Sequence, residues 1–393
     1  MQALPALKRL RIGYHWRMTR IVGIKDVARD AGVSVGTVSN AINRPDLVAT
    51  ETRDRVQAAI ERLGYVRSEA ARSLRAGQSR IIGQLVLDMA NPFFADVAAG
   101  AARAAVAAGL RVMLCNSDND PAEEAAYLSL FAEQRVRGVL LTPADPTGAD
   151  LAVLRRHDIP FVLVDRVTSE GCSVSVDDVA GGRMAGAHLF ETGHKLIAYV
   201  SGPMSFAQCR DRRDGVRAAL LAHGLPEDAL VHIEADRMDV ASGRDAGRRL
   251  LKLSRVPTAV FCANDLLALG VLQALYTAGV SVPGEMAIVG YDDIEFAGAA
   301  AVPLTSVRQP SAEMGQIAAG LLVEEVTASP GQQHRHRRVV LEPELIVRES
   351  SRLDSPPGGK PVTRPADLAA PVGAAGGRRP KRAAPRPPSG QKI

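Results

Sequence analysis

From Ile81 onward the chain alternates short apolar runs with longer amphipathic stretches, and this alternation limits the fold more than any other feature. The runs are Ile81–Leu87, Arg111–Cys115, Gly138–Thr142, Phe161–Asp165, Leu196–Ser201, Ala259–Cys262 and Ala287–Tyr291. Each has the length of a strand and is too short for a stable helix. Between them lie stretches of helical period at 95–108, 122–134, 178–192, 208–223, 265–278 and 311–327. Strands alternating with helices predict βαβ units, and therefore parallel sheets covered by helices on both faces. Six or more such units predict two doubly wound lobes. A TIM barrel shares the same periodicity, which by itself does not exclude it. With 393 residues, 46% of them hydrophobic, the chain can build cores for two or three globular units.

The segment before this region has a different period. Ile24, Val27, Ala28 and Ala31 share one helical face, and the turn Gly32-Val33-Ser34 follows. Val35, Val38 and Ile42 then repeat at helical spacing until Asn43-Arg44-Pro45-Asp46 stops the helix. A third helix carries Val56, Ile60 and Leu63 on one side, ends at Gly64, and presents Arg53, Arg55 and Arg62 on the other. A helix-turn-helix needs a small residue where the helices cross, a glycine able to take positive φ in the turn, and apolar residues that lock the second helix. Ala28, Gly32, Val38 and Ile42 fit those roles. In that arrangement the second helix enters the major groove N-terminus first, with Val35, Gly36, Thr37 and Asn40 facing outward. A small helical hairpin without a DNA role has the same local pattern.

The net charge of +5 conceals an asymmetry. Residues 1–80 hold 15 Lys/Arg against 7 Asp/Glu, residues 81–330 hold 20 against 31, and residues 331–393 hold 13 against 5. Basic ends around an acidic middle suit phosphate contacts flanking a small-molecule domain, and equally suit a solvated surface with a basic tail. No apolar run reaches the roughly 20 residues of a membrane helix, and the N-terminus lacks the long apolar core of a secretory leader. Met18 is a candidate start, because the patterned sequence begins just after it. Cys115, Cys172, Cys209 and Cys262 show no metal-ligand spacing and read as free thiols in a reducing cytoplasm. His334-Arg335-His336-Arg337-Arg338 could suit a metal or an anion but reads rather as a solvated basic loop before the last strand, so no metal and no cofactor are expected. Residues 352–393, rich in Pro, Gly, Ala and Arg, read as a disordered basic tail.

The stretch IKDVARDAGVSVGTVSNAINRPDLVATETRDRVQAAIERLGY resembles the DNA-binding headpiece of the LacI family, and SEAARSLRAG resembles its hinge helix. The likeness continues through NPFF (91–94), VDR (164–166), RDRRDG (210–215), CANDLLALG (262–270), VGYDD (289–293) and LTSVRQP (304–310). It covers about residues 20–350. The resemblance implies an N-terminal extension over 1–19, an all-α headpiece over 20–66 and a hinge over 67–78. It further implies a two-lobed, periplasmic-binding-protein-like effector and dimerisation domain over 79–350 and a tail over 351–393. It implies a cytoplasmic, nucleoid-associated repressor, not an enzyme, that binds a near-palindromic double-stranded operator as a homodimer under allosteric control by a small molecule. DNA contacts fall to Ser34, Val35, Gly36, Thr37, Ser39, Asn40, Asn43 and Tyr65, with Arg72 and Arg75 near phosphates. Leu74 acts as the wedge that opens the central base step in the minor groove, at a cost of a few kcal/mol repaid by wider contact.

Several positions depart from the family pattern. Gly23 stands where a capping Thr is frequent, Ala49 where a Ser cap is frequent, and Arg67-Ser68 where Pro-Asn is common. Gly36 lies inside the recognition helix, and Asn40 occupies a position often basic in relatives. Asn pairs bidentately with adenine, so the operator is expected to differ from the common one. For the effector the resemblance points to Phe93, Phe94, Asp165, Arg166, Arg212, Asn264 and Asp265, with Phe206, Gln208 and Met238 at variable cleft positions. Carboxylates and arginine forks bind vicinal hydroxyls, and an aromatic face packs on a sugar ring. Asp165-Arg166 favours a sugar or polyol. Purine-binding relatives have an aromatic beside that Asp and an Arg near position 206, where this chain has Phe206. Taken singly, each residue has a plain structural role as a helix cap or core side chain. An enzyme is the first rival, but the chain has no P-loop, and its GxSxG string, Gly32 to Gly36, falls within the helix-turn-helix pattern and not at a strand-to-helix elbow. A transporter's solute-binding protein is the second, and residues 24–75 count against it.

Overall fold

The computed structural model describes residues 22–66, 79–144, 151–167, 170–329 and 334–352. The predicted N-terminal extension, hinge helix and tail, and with them Met18, Arg72, Leu74 and Arg75, lie outside the described residues.

Three helices form the headpiece: α1 (Ile24–Ala31), α2 (Val35–Asn43) and α3 (Thr50–Leu63). Val27, Ala28, Ala31, Val38, Val56 and Ala59 make its core. Gly32 takes φ 65° at the turn and Gly64 φ 61° after α3, conformations that glycine adopts without steric cost. The start of α1 shows how the chain manages without the frequent Thr cap. Asp26 reaches back to accept the Gly23 N–H at 3.0 Å, one half of a capping box. Ala49 offers α3 no side-chain cap. Ser34 caps α2, accepting the Thr37 N–H at 3.0 Å.

The body holds two six-stranded sheets, so the barrel alternative fails. The first, in the order β11-β5-β4-β3-β1-β2, is parallel throughout. It is built from β1 (Ile81–Val86), β2 (Arg111–Asn116), β3 (Val139–Leu141), β4 (Phe161–Val164), β5 (Cys172–Val176) and β11 (Arg338–Leu341). The second, β12-β10-β9-β8-β6-β7, repeats that order and differs only in the antiparallel edge strand β12. Its strands are β6 (Ile197–Ser201), β7 (Leu230–Glu234), β8 (Ala259–Cys262), β9 (Ala287–Asp292), β10 (Thr305–Arg308) and β12 (Glu344–Ile346).

The connecting helices are α4 (Pro92–Ala107), α5 (Pro121–Glu133), α6 (Leu151–Arg156), α7 (Asp178–Glu191), α8 (Ala207–Ala222), α9 (Val240–Leu250), α10 (Asp265–Ala278), α11 (Glu295–Gly298) and α12 (Ser311–Thr327). The chain crosses between lobes three times: β5 to α7, β10 to α12, and β11 to β12. After its crossing, α7 packs on α8 of the second lobe, and α12 packs on α4 of the first. The α7–α8 contact is close enough that a Cβ on Gly182 would lie 2.0 Å from the Arg212 carbonyl oxygen. That proximity fixes α8, and Arg212 with it, against the start of α7.

The alternation in the sequence anticipates β1, β2, β3, β4, β6, β8 and β9. It passes over β5, whose CSVSV run places Ser173 and Ser175 in the interior, and the edge strand β7, which is only half buried.

Candidate functional site

Because both sheets are parallel apart from the edge strand β12, the carboxyl ends of their parallel strands face one crevice between the lobes. A cavity of about 380 Å³ lies there. From the first lobe it takes Asn91, Phe93 and Phe94 at the β1–α4 junction and Asp165 just after β4. From the second it takes Phe206, Gln208 and Arg212 at the β6–α8 junction, Met238, Asn264 before α10, Asp292 at the end of β9, and Gln309 just after β10.

Asp165 and Asp292 occupy equivalent places in the two sheets, each at the end of the third strand from the same edge. Both have left-handed backbones, φ 60° and 102°, a conformation uncommon outside glycine and often found at functional sites. Each is clasped by an amide from the opposite lobe. Gln208 Nε2 donates to Asp165 Oδ2 at 2.7 Å, and Asn91 Nδ2 donates to Asp292 Oδ2 at 2.9 Å. Gln309 Nε2 adds a bond to Asp292 Oδ1 at 2.8 Å. Near the rim, Arg237 pairs with Asp118 across the lobes at 2.8 Å.

Arg212 is the fixed cation of the cleft, 3% exposed. Its Nε donates to Asp178 at 2.7 Å, its Nη1 to the Ala263 carbonyl at 2.6 Å, and its guanidinium lies 3.6 Å above the Tyr291 ring. Burial opposes its charge, but Asp178 and the neighbouring acids more than restore it. The carboxylates go the other way. Burial, reinforced by Asp178, raises Asp165 to about 7 against the pull of Arg212 and Gln208. Burial raises Asp292 to about 6, opposed by Arg212, Asn91 and Gln309. Two acceptors on the cavity wall, Asp165 Oδ1 and Gln309 Oε1, are buried without a hydrogen-bond partner among the described residues. Such acceptors are completed by a donor from ordered water or from a bound molecule. Phe93 and Phe94, edge to face at 5.1 Å, form an apolar wall.

Of the effector residues expected from sequence, Phe93, Phe94, Asp165, Phe206, Gln208, Arg212, Met238 and Asn264 line this cavity. Two do not. Asp265 is fully buried beneath it, with Ser306 Oγ donating to its Oδ1 at 2.7 Å and the Ile294 N–H to its Oδ2 at 2.9 Å. Its carboxylate ties β10 and the segment after β9 to the start of α10. Arg166 is half-buried and not among the lining residues, and its Nε has no partner among the described residues. Asn91, Asp292 and Gln309 were missed. Their signal was present in NPFF, VGYDD and LTSVRQP, each of which ends or begins an element at the cleft.

On the headpiece, Ser34, Gly36, Asn40 and Asn43 are exposed on α2 or at its start, while Val35, Thr37 and Ser39 are half-buried. Val35 and Tyr65 also pack against the headpiece core. Thr37 Oγ1 is hydrogen-bonded to Ser34 Oγ at 2.9 Å, and Asn43 Nδ2 donates to the Ser39 carbonyl at 2.7 Å. The exposed cluster is therefore narrower than the set expected from sequence, with Gly36 and Asn40 at its centre.

Comparison with known proteins places both parts. The pattern of bacterial regulatory proteins of the lacI family matches residues 23–68, and that of the periplasmic binding protein-like domain matches residues 187–351. The ribose operon repressor of Escherichia coli is 36% identical over 84% of this chain and 99% of its own. The HTH-type transcriptional repressor PurR of Photobacterium profundum is 35% identical over 83% of this chain and 98% of its own. Among solved structures, the lac repressor dimer bound to operator and the anti-inducer ONPF superposes with a TM-score of 0.72 at 28% identity, covering 84% of this chain and 99% of that one. Among the described residues no helix is long and apolar enough to cross a membrane.

Proposed function

Because the chain belongs to the LacI family of bacterial regulatory proteins, we propose that it is a homodimeric repressor whose cleft senses a sugar or polyol and whose headpieces read a near-palindromic operator. The lobes over 79–350 bind the effector and pair the subunits, residues 20–66 read bases, and residues 67–78 form the hinge. One observation carries the choice of ligand: Asp165 and Gln309, each with a buried acceptor oxygen that has no partner among the described residues, line one cavity beside a fixed guanidinium and an aromatic wall. A polyhydroxylated molecule supplies donors to both acceptors, acceptors to Arg212, and an apolar face to Phe93, Phe94 or Phe206. The similarity to a ribose operon repressor supports the same class, and the similarity to a repressor dimer on its operator supports the assembly.

Control follows from the cross-lobe clasps. A ligand that replaces Gln208 on Asp165, or Asn91 on Asp292, changes the relative stability of lobe arrangements. DNA affinity then shifts by no more than the ligand's differential affinity for the two states.

The test has two stages. Selection from a pool of random duplexes recovers an operator, and fluorescence anisotropy then follows its complex while pentoses, hexoses and polyols are added. A two-fold-symmetric selected sequence bound by a dimer, with one sugar class altering the affinity, is the expected result. Recovery of no preferred sequence, or a response to no sugar alongside a response to a purine, overturns the proposal.

A further inference from the structure

The basic loop before β11 holds more than charge. Four potential ligand atoms converge there from three segments: Cys172 at the start of β5, Glu325 in the last turn of α12, and His334 and His336 leading into β11. All four lie within 4.8 Å of one another. None lines the effector cleft, and the headpiece is not involved.

The convergence is fixed by sheet register. Parallel pairing sets Arg338 opposite Ser173, and the Ser173 N–H donates to the Arg337 carbonyl at 3.0 Å. Continued one residue back, that register sets Arg337 opposite Cys172, and the imidazoles of His336 and His334, one and three residues before Arg337, both reach the sulfur. Cys172 Sγ is 3.1 Å from His334 Nε2 and 3.9 Å from His336 Nδ1. A tetrahedral zinc ion, with bonds of about 2.3 Å to sulfur and 2.0–2.1 Å to nitrogen, requires an S···N separation of about 3.5 Å, which these two distances bracket. The fourth donor is available, since Glu325 Oε2 is buried with no hydrogen-bond partner among the described residues.

Charge and surroundings also fit. One thiolate and one carboxylate with two neutral imidazoles balance a dication. The guanidinium of Arg337 does not compete with it. Arg337 turns its guanidinium to Glu324 and points its backbone N–H at Cys172 Sγ from 3.4 Å, the kind of outer hydrogen bond that orients a ligating sulfur. Mixed sulfur, nitrogen and oxygen donors in a tetrahedral set select zinc over the hard cations.

We propose that Cys172, Glu325, His334 and His336 form a site for a zinc-class divalent cation, which fastens the α12–β11 connection to the first residue of β5. That connection leads into β11, from which the chain makes one of its three crossings between the lobes, so the bound cation stiffens the body at a point remote from the effector.

The full-length protein, stripped with chelator and titrated with cobalt(II) chloride, tests the site. One equivalent of cobalt per chain is expected, with the visible bands of tetrahedral cobalt and a thiolate-to-cobalt charge-transfer band, all removed by stoichiometric zinc chloride. Cys172→Ser abolishes the charge-transfer band. His336→Gln, at an exposed position where folding is not at risk, weakens cobalt binding by at least about 100-fold, as loss of a direct ligand exceeds the effect of outer-sphere changes. The absence of a charge-transfer band in the unaltered chain, its survival in Cys172→Ser, or undiminished affinity in His336→Gln overturns the proposal. If Cys172→Ser fails to fold, the His336→Gln result decides. Operator and sugar binding are not read in this experiment, so its outcome is independent of the proposed regulatory function.

Discussion

Replacing Asp165 by Asn tests the electrostatics of the cleft with little steric change. Asn tolerates the left-handed backbone at φ 60° that Ala would strain, and its carbonyl oxygen still accepts the Gln208 amide. The carboxyl is raised to about 7 in the folded protein, chiefly by burial, against an ordinary 3.8. Between those values the native state keeps a proton that the unfolded chain has lost, so stability falls as pH rises from about 4 to about 7. At 1.36 kcal/mol per tenfold change in proton affinity, the full effect is about 4 kcal/mol, of which about 3 kcal/mol develops between pH 5 and pH 8. Asn does not titrate. The stability of Asp165→Asn relative to the parent is therefore expected to improve by about 3 kcal/mol on going from pH 5 to pH 8. Denaturant unfolding followed by circular dichroism at the two pH values measures it, and comparison with the parent removes titrations common to both chains, such as that of Asp292. Sugar affinity of the variant is expected to fall below the parent's chiefly above about pH 7, where the parent Asp165 is ionised and supplies an anionic acceptor. An advantage that is the same at pH 5 and pH 8 would show that Asp165 ionises as an ordinary carboxyl and would refute the reasoning.

Asp265→Ala is expected to lower stability by about 2 kcal/mol, because Ser306 Oγ and the Ile294 N–H lose their buried acceptor. A thermal melt checks this, and an unchanged melt with a lost sugar response would return Asp265 to the effector site. Asn40→Ala is expected to weaken operator binding by about 1–3 kcal/mol and to relax one base position. Equal weakening on random duplex in the same anisotropy assay would argue against base readout. Gly36→Ala is expected to stabilise the headpiece by up to about 1 kcal/mol, since a Cβ there meets nothing nearer than Ser34 Oγ at 3.6 Å. If the melt shows a gain while operator affinity falls, the glycine serves the DNA contact; destabilisation in the melt refutes the packing argument.

The sequence alone determined the two kinds of period, and with them an all-helical headpiece before two parallel-sheet lobes. Local periodicity records which face of an element is buried, so strands such as β1, β4 and β9 and helices such as α7 and α10 were legible within a residue or two at most ends. So was the general place of the site, because the ends of parallel strands must face the crevice. Strand β5 was not legible, since its serines lie inside against neighbours that only the sheet supplies. The assignment of aspartates to roles was also beyond local pattern. Asp265 and Asp292 both stand near strand ends on the same lobe, yet one is claimed by Ser306, 41 residues downstream, and the other turns through φ 102° into the cavity. Likewise His334 and His336 look like part of a solvated loop until β11 pairs with β5 and brings Cys172 beside them. Periodicity reports on burial along one element. Which side chains share a cavity or a cation is decided by pairings between distant segments, and only the tertiary structure contains those.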